Sequence, residues 1–99
     1  MLKDLLYKVK LKAVHGSTDV EILSLHIDSR AVEKNSCFIA IKGATTDGHH
    51  YIDAAIKNGA VAVIVEQLPT NILDGITYIE VADSATAAGF VAHNFYGEP

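Results

Sequence analysis

Two stretches of the chain, 37–41 and 60–65, are apolar without interruption, and their β-branched residues gather toward the second half. Strands with both sheet faces covered read this way, so the two stretches predict central strands. Residues 77–81, Thr-Tyr-Ile-Glu-Val, predict a further strand nearer an edge. Residues 20–28 are strand-like, but the alternation slips. Val20 and Ile22 share one face, whereas Leu23, Leu25 and Ile27 share the other, which predicts a bulge or break near Ile22-Leu23. Residues 9–14 alternate weakly and are a candidate strand.

Helical periodicity falls around and between these runs. Leu2, Leu5 and Leu6 predict a short opening helix with that face packed down. Ile52, Ala55 and Ile56 predict a second, with Asp47 as its N-cap and Gly59 as its C′ stop. Ala85, Ala88, Val91, Ala92 and Phe95 predict the face of a last helix, capped by Asp83 or Ser84 and ended by Gly97. The cluster His15-Gly16-Ser17-Thr18-Asp19 reads as a turn. The expected fold is therefore α/β: a mostly parallel or mixed sheet of about four main strands with helices packed on it, in a single small domain spanning 1–99.

Composition narrows the function. The chain has 99 residues and a formal net charge of −4, with seven lysines and Arg30 as its one arginine. Nucleic-acid binders usually carry a basic excess, because neutralising phosphate supplies most of their affinity, so neither nucleic acid nor a membrane surface is an expected partner. Lys8, Lys10 and Lys12 read as a solvated face. No apolar run is long enough to span a bilayer, and no signal peptide is expected at the start. A lone cysteine, Cys37, lies inside a predicted central strand and is expected to be a buried, inert thiol. The five histidines show no metal-ligand spacing, and His49 and His50 would point about 100° apart on a helix. No metal is expected. The sequence has no G-x-x-x-x-G-K-[ST] run, hence no P-loop.

Two loops carry candidate chemistry. One is Asp28-Ser29-Arg30 after the 20–28 segment. The other is Lys42-Gly43-Ala44-Thr45-Thr46-Asp47-Gly48 after the 37–41 strand. Ligands of α/β sheets bind outside the carboxyl ends of strands, and parallel strands would bring both loops to one rim. Gly43 and Gly48 permit close backbone approach, the threonines offer hydroxyls, and Lys42 adds a charge. Arginine suits bidentate contacts to phosphate, but Asp28 and Arg30 are expected to pair with each other or with backbone to fix the turn. That leaves Ser29 facing the ligand.

The ordered set Ile27-Asp28-Ser29-Arg30, Cys37-Phe38-Ile39-Ala40-Ile41-Lys42-Gly43, Asp47-Gly48-His49-His50-Tyr51-Ile52, Ala54-Ala55-Ile56 and Gly59-Ala60-Val61-Ala62-Val63 resembles the amino-terminal domain of bacterial Mur ligases. The closing Asn94-Phe95-Tyr96-Gly97-Glu98-Pro99 resembles the stretch before their central domain. Within the family, the likeness is greatest to the branch that adds the third residue of the peptidoglycan stem peptide. The neighbouring branch, which adds D-alanyl-D-alanine, shares the domain type, and a stand-alone nucleotide- or anion-binding module is the alternative of another class. One departure is Glu33-Lys34-Asn35-Ser36, where family members usually have Pro-Gly-Asp or a similar turn.

The resemblance implies a cytoplasmic, ATP-dependent ligase of peptidoglycan synthesis, in which this domain binds the UDP moiety of a UDP-N-acetylmuramoyl-peptide. Ile27, Ser29, Ala44, Thr45 and Thr46 match the family's UDP-binding positions, with Arg30, Lys42 and Gly43 as possible support. ATP and magnesium are implied for the whole enzyme but not for these residues. The remaining partners implied are a central and a carboxy-terminal domain of the same chain. Alone, residues 1–99 are expected to be inactive and to hold no catalytic residue.

Overall fold

The computed structural model describes residues 1–43 and 46–97. Among them the chain forms α1 (Leu2–Leu5), β1 (Leu11–His15), β2 (Ser24–His26), β3 (Ser36–Ile39), α2 (Ile52–Lys57), β4 (Ala60–Val65), β5 (Thr77–Val81) and α3 (Ser84–Tyr96), with single 3-10 turns at Ser29–Ala31 and Gly48–Tyr51. The sheet has five strands in the order β1-β5-β4-β3-β2. β2 through β5 run parallel, and β1 closes one edge antiparallel to β5. The weakly alternating segment is thus a true strand. It makes the sheet mixed and moves β5 one place in from the edge.

The uninterrupted apolar runs sit where both faces are covered. On one face Cys37, Ile39, Ala62, Ile64, Ile79 and Val81 pack with Leu2 and Leu5 of α1 and with Ala87 and Val91 of α3. On the other, Phe38, Val63, Val65 and Tyr78 pack with Ile52 and Ala55 of α2. Cys37 is fully buried, and burial pushes its thiol up to about 12, so it stays protonated and inert at neutral pH.

Three expectations change. Asp47 caps the 3-10 turn Gly48–Tyr51 and not α2, whose N-cap is Tyr51 with no side-chain hydrogen bond, because the chain makes one tighter turn before the α-helix begins. The 20–28 segment is a strand only over Ser24–His26. Before it, the carbonyl of Val20 accepts from Leu2 N–H and the N–H of Leu23 donates to Asn35, so the backbone satisfies itself outside the ladder. The break lets Ile22 and Leu25 join the same core while Leu23 faces solvent. On α3, Ala85 is exposed, and the inward face is Ser84, Ala87, Ala88, Val91 and Phe95. The periodic reading began one residue late because Ser84, a polar residue, occupies the first buried position. Asp83 is the N-cap, its carboxylate accepting from Thr86 N–H, and Gly97 ends the helix at φ 79°.

The departure at 33–36 keeps its turn. Asn35 adopts φ 62°, which asparagine tolerates better than most residues. Gly59, at φ 121°, lies directly against it: a Cβ there would sit 2.7 Å from Lys34 Cα.

Candidate functional site

The parallel pairing of β2 with β3 brings both candidate loops to one rim, at the carboxyl ends of those strands. Between them lies an open cleft of about 800 Å³, whose walls include Ile27, Ser29, Arg30, Gly43, Thr46 and Tyr51.

The first loop is built by local hydrogen bonding. Asp28 is extended, and its carboxylate accepts from Arg30 N–H at 2.9 Å. The same carboxylate takes a two-pronged contact from the Arg30 guanidinium, Nε at 3.1 Å and Nη2 at 2.9 Å. These hydrogen bonds from Arg30, side chain first and backbone second, hold the Asp28 carboxyl down at about 2. Both side chains face water, so the pair fixes the turn more than it stabilises the fold. Arg30 reaches the cleft wall but is already engaged, as its expected pairing with Asp28 requires.

Ser29 sits beneath that turn at 7% exposure, with its carbonyl accepting from Asn58 Nδ2 of the α2 terminus at 2.9 Å. It is more enclosed than a rim residue need be. Ile27, by contrast, is 63% exposed on the lip of the cleft. An apolar side chain left so exposed beside a serine that lines the same cleft gives one flat surface and one polar contact.

The described residues of the second loop join across its base. Lys42 and Asp47 pair across it in an antiparallel bridge, Gly43 N–H donates to the Thr46 carbonyl at 2.8 Å, and Gly48 N–H donates to Ile41 at 2.9 Å. The glycine at 48 serves the chain's own packing, since a Cβ would lie 2.9 Å from Ile41 N and 3.0 Å from Ala40 Cα. Ala44 and Thr45 lie outside the described residues. Thr46 and Gly43 line the cleft; Lys42 does not, and its backbone N–H points to Ser84 Oγ at 3.4 Å.

Asp47 caps the 3-10 turn that leads into α2. Its Oδ1 accepts from His49 N–H at 2.9 Å and from His49 Nδ1 at 2.7 Å, and these contacts, backbone first, hold its carboxyl below the usual range. His49 Nε2 accepts two backbone N–H groups from the loop after β4, Glu66 at 2.9 Å and Gln67 at 3.3 Å. Those donors assign the ring proton to Nδ1. The Glu66 carboxylate in turn accepts from Ser84 N–H at 2.8 Å and Ser84 Oγ at 2.9 Å.

Sequence reasoning placed Ser29, Thr46, Gly43 and Arg30 around the site but missed Tyr51, Asn58, Glu66 and Ser84. Tyr51 follows two histidines in the motif that carried the resemblance, which is the one signal that marked it. For Asn58, Glu66 and Ser84 the partners lie 17 to 42 residues away, and no local pattern announces them.

Among the described residues no three histidine, cysteine, aspartate or glutamate side chains gather to hold a metal ion. The sequence has no P-loop.

A sequence model described as the Mur ligase family, catalytic domain, matches residues 21–96. UDP-N-acetylmuramoyl-L-alanyl-D-glutamate–2,6-diaminopimelate ligase of Bacteroides fragilis is 46% identical over 98 residues, and that of Cytophaga hutchinsonii 48% over 99; each alignment covers 99% of this chain. The chain spans only about a fifth of the length of these relatives, 20% in both cases. Among solved structures, UDP-N-acetylmuramoylalanyl-D-glutamyl-2,6-diaminopimelate–D-alanyl-D-alanyl ligase of Acinetobacter baumannii matches 95% of the chain with a TM-score of 0.80 at 26% identity, over 21% of its own length. MurF ligase of Thermotoga maritima, solved in complex with ADP, matches 71% of the chain with a TM-score of 0.61 at 33% identity, over 16% of its own length.

Proposed function

Since the chain belongs to the Mur ligase family, we propose that residues 1–99 are the part of a longer ligase that binds the uridine diphosphate end of a UDP-N-acetylmuramoyl-peptide. The observation that carries this reading is the convergence of the two loops on one cleft at the carboxyl rim of the parallel strands, with a hydroxyl-bearing residue from each, Ser29 and Thr46, in its lining. Ile27 offers an apolar surface for uracil or ribose. Ser29 and the second loop, including Ala44 and Thr45, hydrogen-bond the nucleotide. Arg30 keeps the first loop in shape, Gly43 lets the second approach, and Lys42 contributes at most a distant charge.

The chemistry of the whole enzyme belongs elsewhere in this reading. A separate domain would hold ATP and magnesium, which would supply a phosphoryl group to activate the substrate carboxylate. The residues here do not hold ATP. They contribute binding energy far from the reacting carbon, which orients it. The level of identity to the diaminopimelate-adding relatives favours that branch over the D-alanyl-D-alanine-adding one, although the choice of amino acid is made outside 1–99. A cytoplasmic location follows from the same reading. No helix among the described residues is long and apolar enough to cross a membrane.

The test is calorimetric titration of UDP into the parent chain and into Ser29→Ala. A hydrogen bond lost to a neutral group costs about 0.5–1.5 kcal/mol and one to a charged phosphate about 1.5–3 kcal/mol. At about 1.4 kcal/mol per decade, affinity should fall roughly threefold to a hundredfold. The fold should survive, because the Asn58 contact is to the Ser29 carbonyl and is kept. Unchanged affinity in Ser29→Ala would remove Ser29 from the site. A reading frame continuing past Pro99 into a P-loop supports the ligase; a stop codon there supports the stand-alone module.

A further inference from the structure

Lys42, Gly43 and Thr46 of the second loop are exposed, and among the described residues its base is joined by the Gly43 N–H to Thr46 carbonyl hydrogen bond and the Lys42–Asp47 bridge. Its two stems are nevertheless tied to the interior, and both ties run to one residue. The stem at Asp47 is held through His49, whose Nε2 accepts from Glu66 N–H. The stem at Lys42 is held through Ser84 Oγ, which donates to the Glu66 carboxylate. Glu66 stands just past the carboxyl end of β4, the strand beside β3, so the tie reaches the loop from the rigid centre of the sheet. His49 is only 14% exposed and uses both ring nitrogens, which a merely solvated histidine does not do.

We propose that His49 and Glu66 are positioning residues for the ligand loop, clamping both stems of the 43–47 turn so that it stands at the distance from Ser29 that a nucleotide requires. The inference rests on the UDP-binding reading above. Neither residue lines the cleft. Their effect is on how often the loop occupies the binding geometry, and apparent affinity falls in proportion to that fraction.

The experiment compares the 99-residue chain with His49→Ala, His49→Gln and Glu66→Ala, using backbone amide spectra without ligand and then UDP titration well below the unfolding temperature. In His49→Ala the Gly43 and Thr46 amides should shift or broaden while those of α1 and β1 stay. UDP affinity should fall roughly threefold to thirtyfold, which corresponds to a loop in its binding geometry about a third to a thirtieth of the time. His49→Gln retains a donor and an acceptor and should recover part of both effects. A purely structural role would lower the unfolding temperature, leave the affinity of the folded chain unchanged and give no such recovery. Glu66→Ala keeps the His49 contact and tests the Lys42 stem if His49→Ala does not fold; the Gly43 amide should move. Unchanged affinity in a folded variant of a parent that binds UDP overturns the inference. If the parent does not bind UDP, the functional reading fails, and the amides decide the clamp alone: displaced loop amides uphold it and undisturbed ones overturn it.

Discussion

Arg30 and Asp28 show why a cation beside an open cleft is not enough to assign it to the ligand. The guanidinium is committed to a two-pronged contact within its own turn. The consequence is a pH effect of definite sign. Asp28 has its carboxyl lowered from 3.8 to about 2, so the pair's contribution is present above pH 4 and is lost as the pH falls through 2. NMR titration of the Asp28 side chain should find it titrating near 2, and Arg30→Ala should return it toward 3.8. A carboxyl that already titrates near 3.8 in the parent would mean the pair is open in solution. The pairing was legible in the sequence because the residues are two apart and share a turn. The enclosure of Ser29 was not, since it depends on Asn58, 29 residues away.

At the scale of elements, the strands with both faces covered were the clearest in the sequence, because an unbroken apolar run has few other uses in a chain of this size. β1 was weak, since an edge strand with most of its residues exposed, Lys12 among them, pairs only half its backbone groups. Two glycines test the reading of elements from opposite directions. Gly59 holds a left-handed conformation against Lys34, so Gly59→Ala combines strain of about 1–3 kcal/mol with a clash, and thermal unfolding should show a clear loss of stability. Gly89 lies within α3 with nothing near its would-be Cβ, so Gly89→Ala should raise stability by about 0.5–1 kcal/mol. A loss at 89 would show that the helix face is occupied. Ile64→Ala, at the centre of the sheet, should cost about 2–5 kcal/mol.

The whole molecule has one sheet with helices on both faces, and its two cores share the central strands. Residues 1–99 should therefore unfold in one cooperative thermal transition followed by circular dichroism, and a featureless trace would contradict an independent domain. The same chain should release no phosphate from ATP above a buffer blank. The central claim is that UDP binds between the loops after β2 and β3. Its most direct test is a UDP titration monitored by backbone amide shifts. Saturable shifts should gather at 27–31 and 43–48 and leave α1 and β1 in place. An absence of saturable shifts, or shifts gathered instead around Tyr7, Phe90 and His93, which line a separate cleft beside α3, would contradict it.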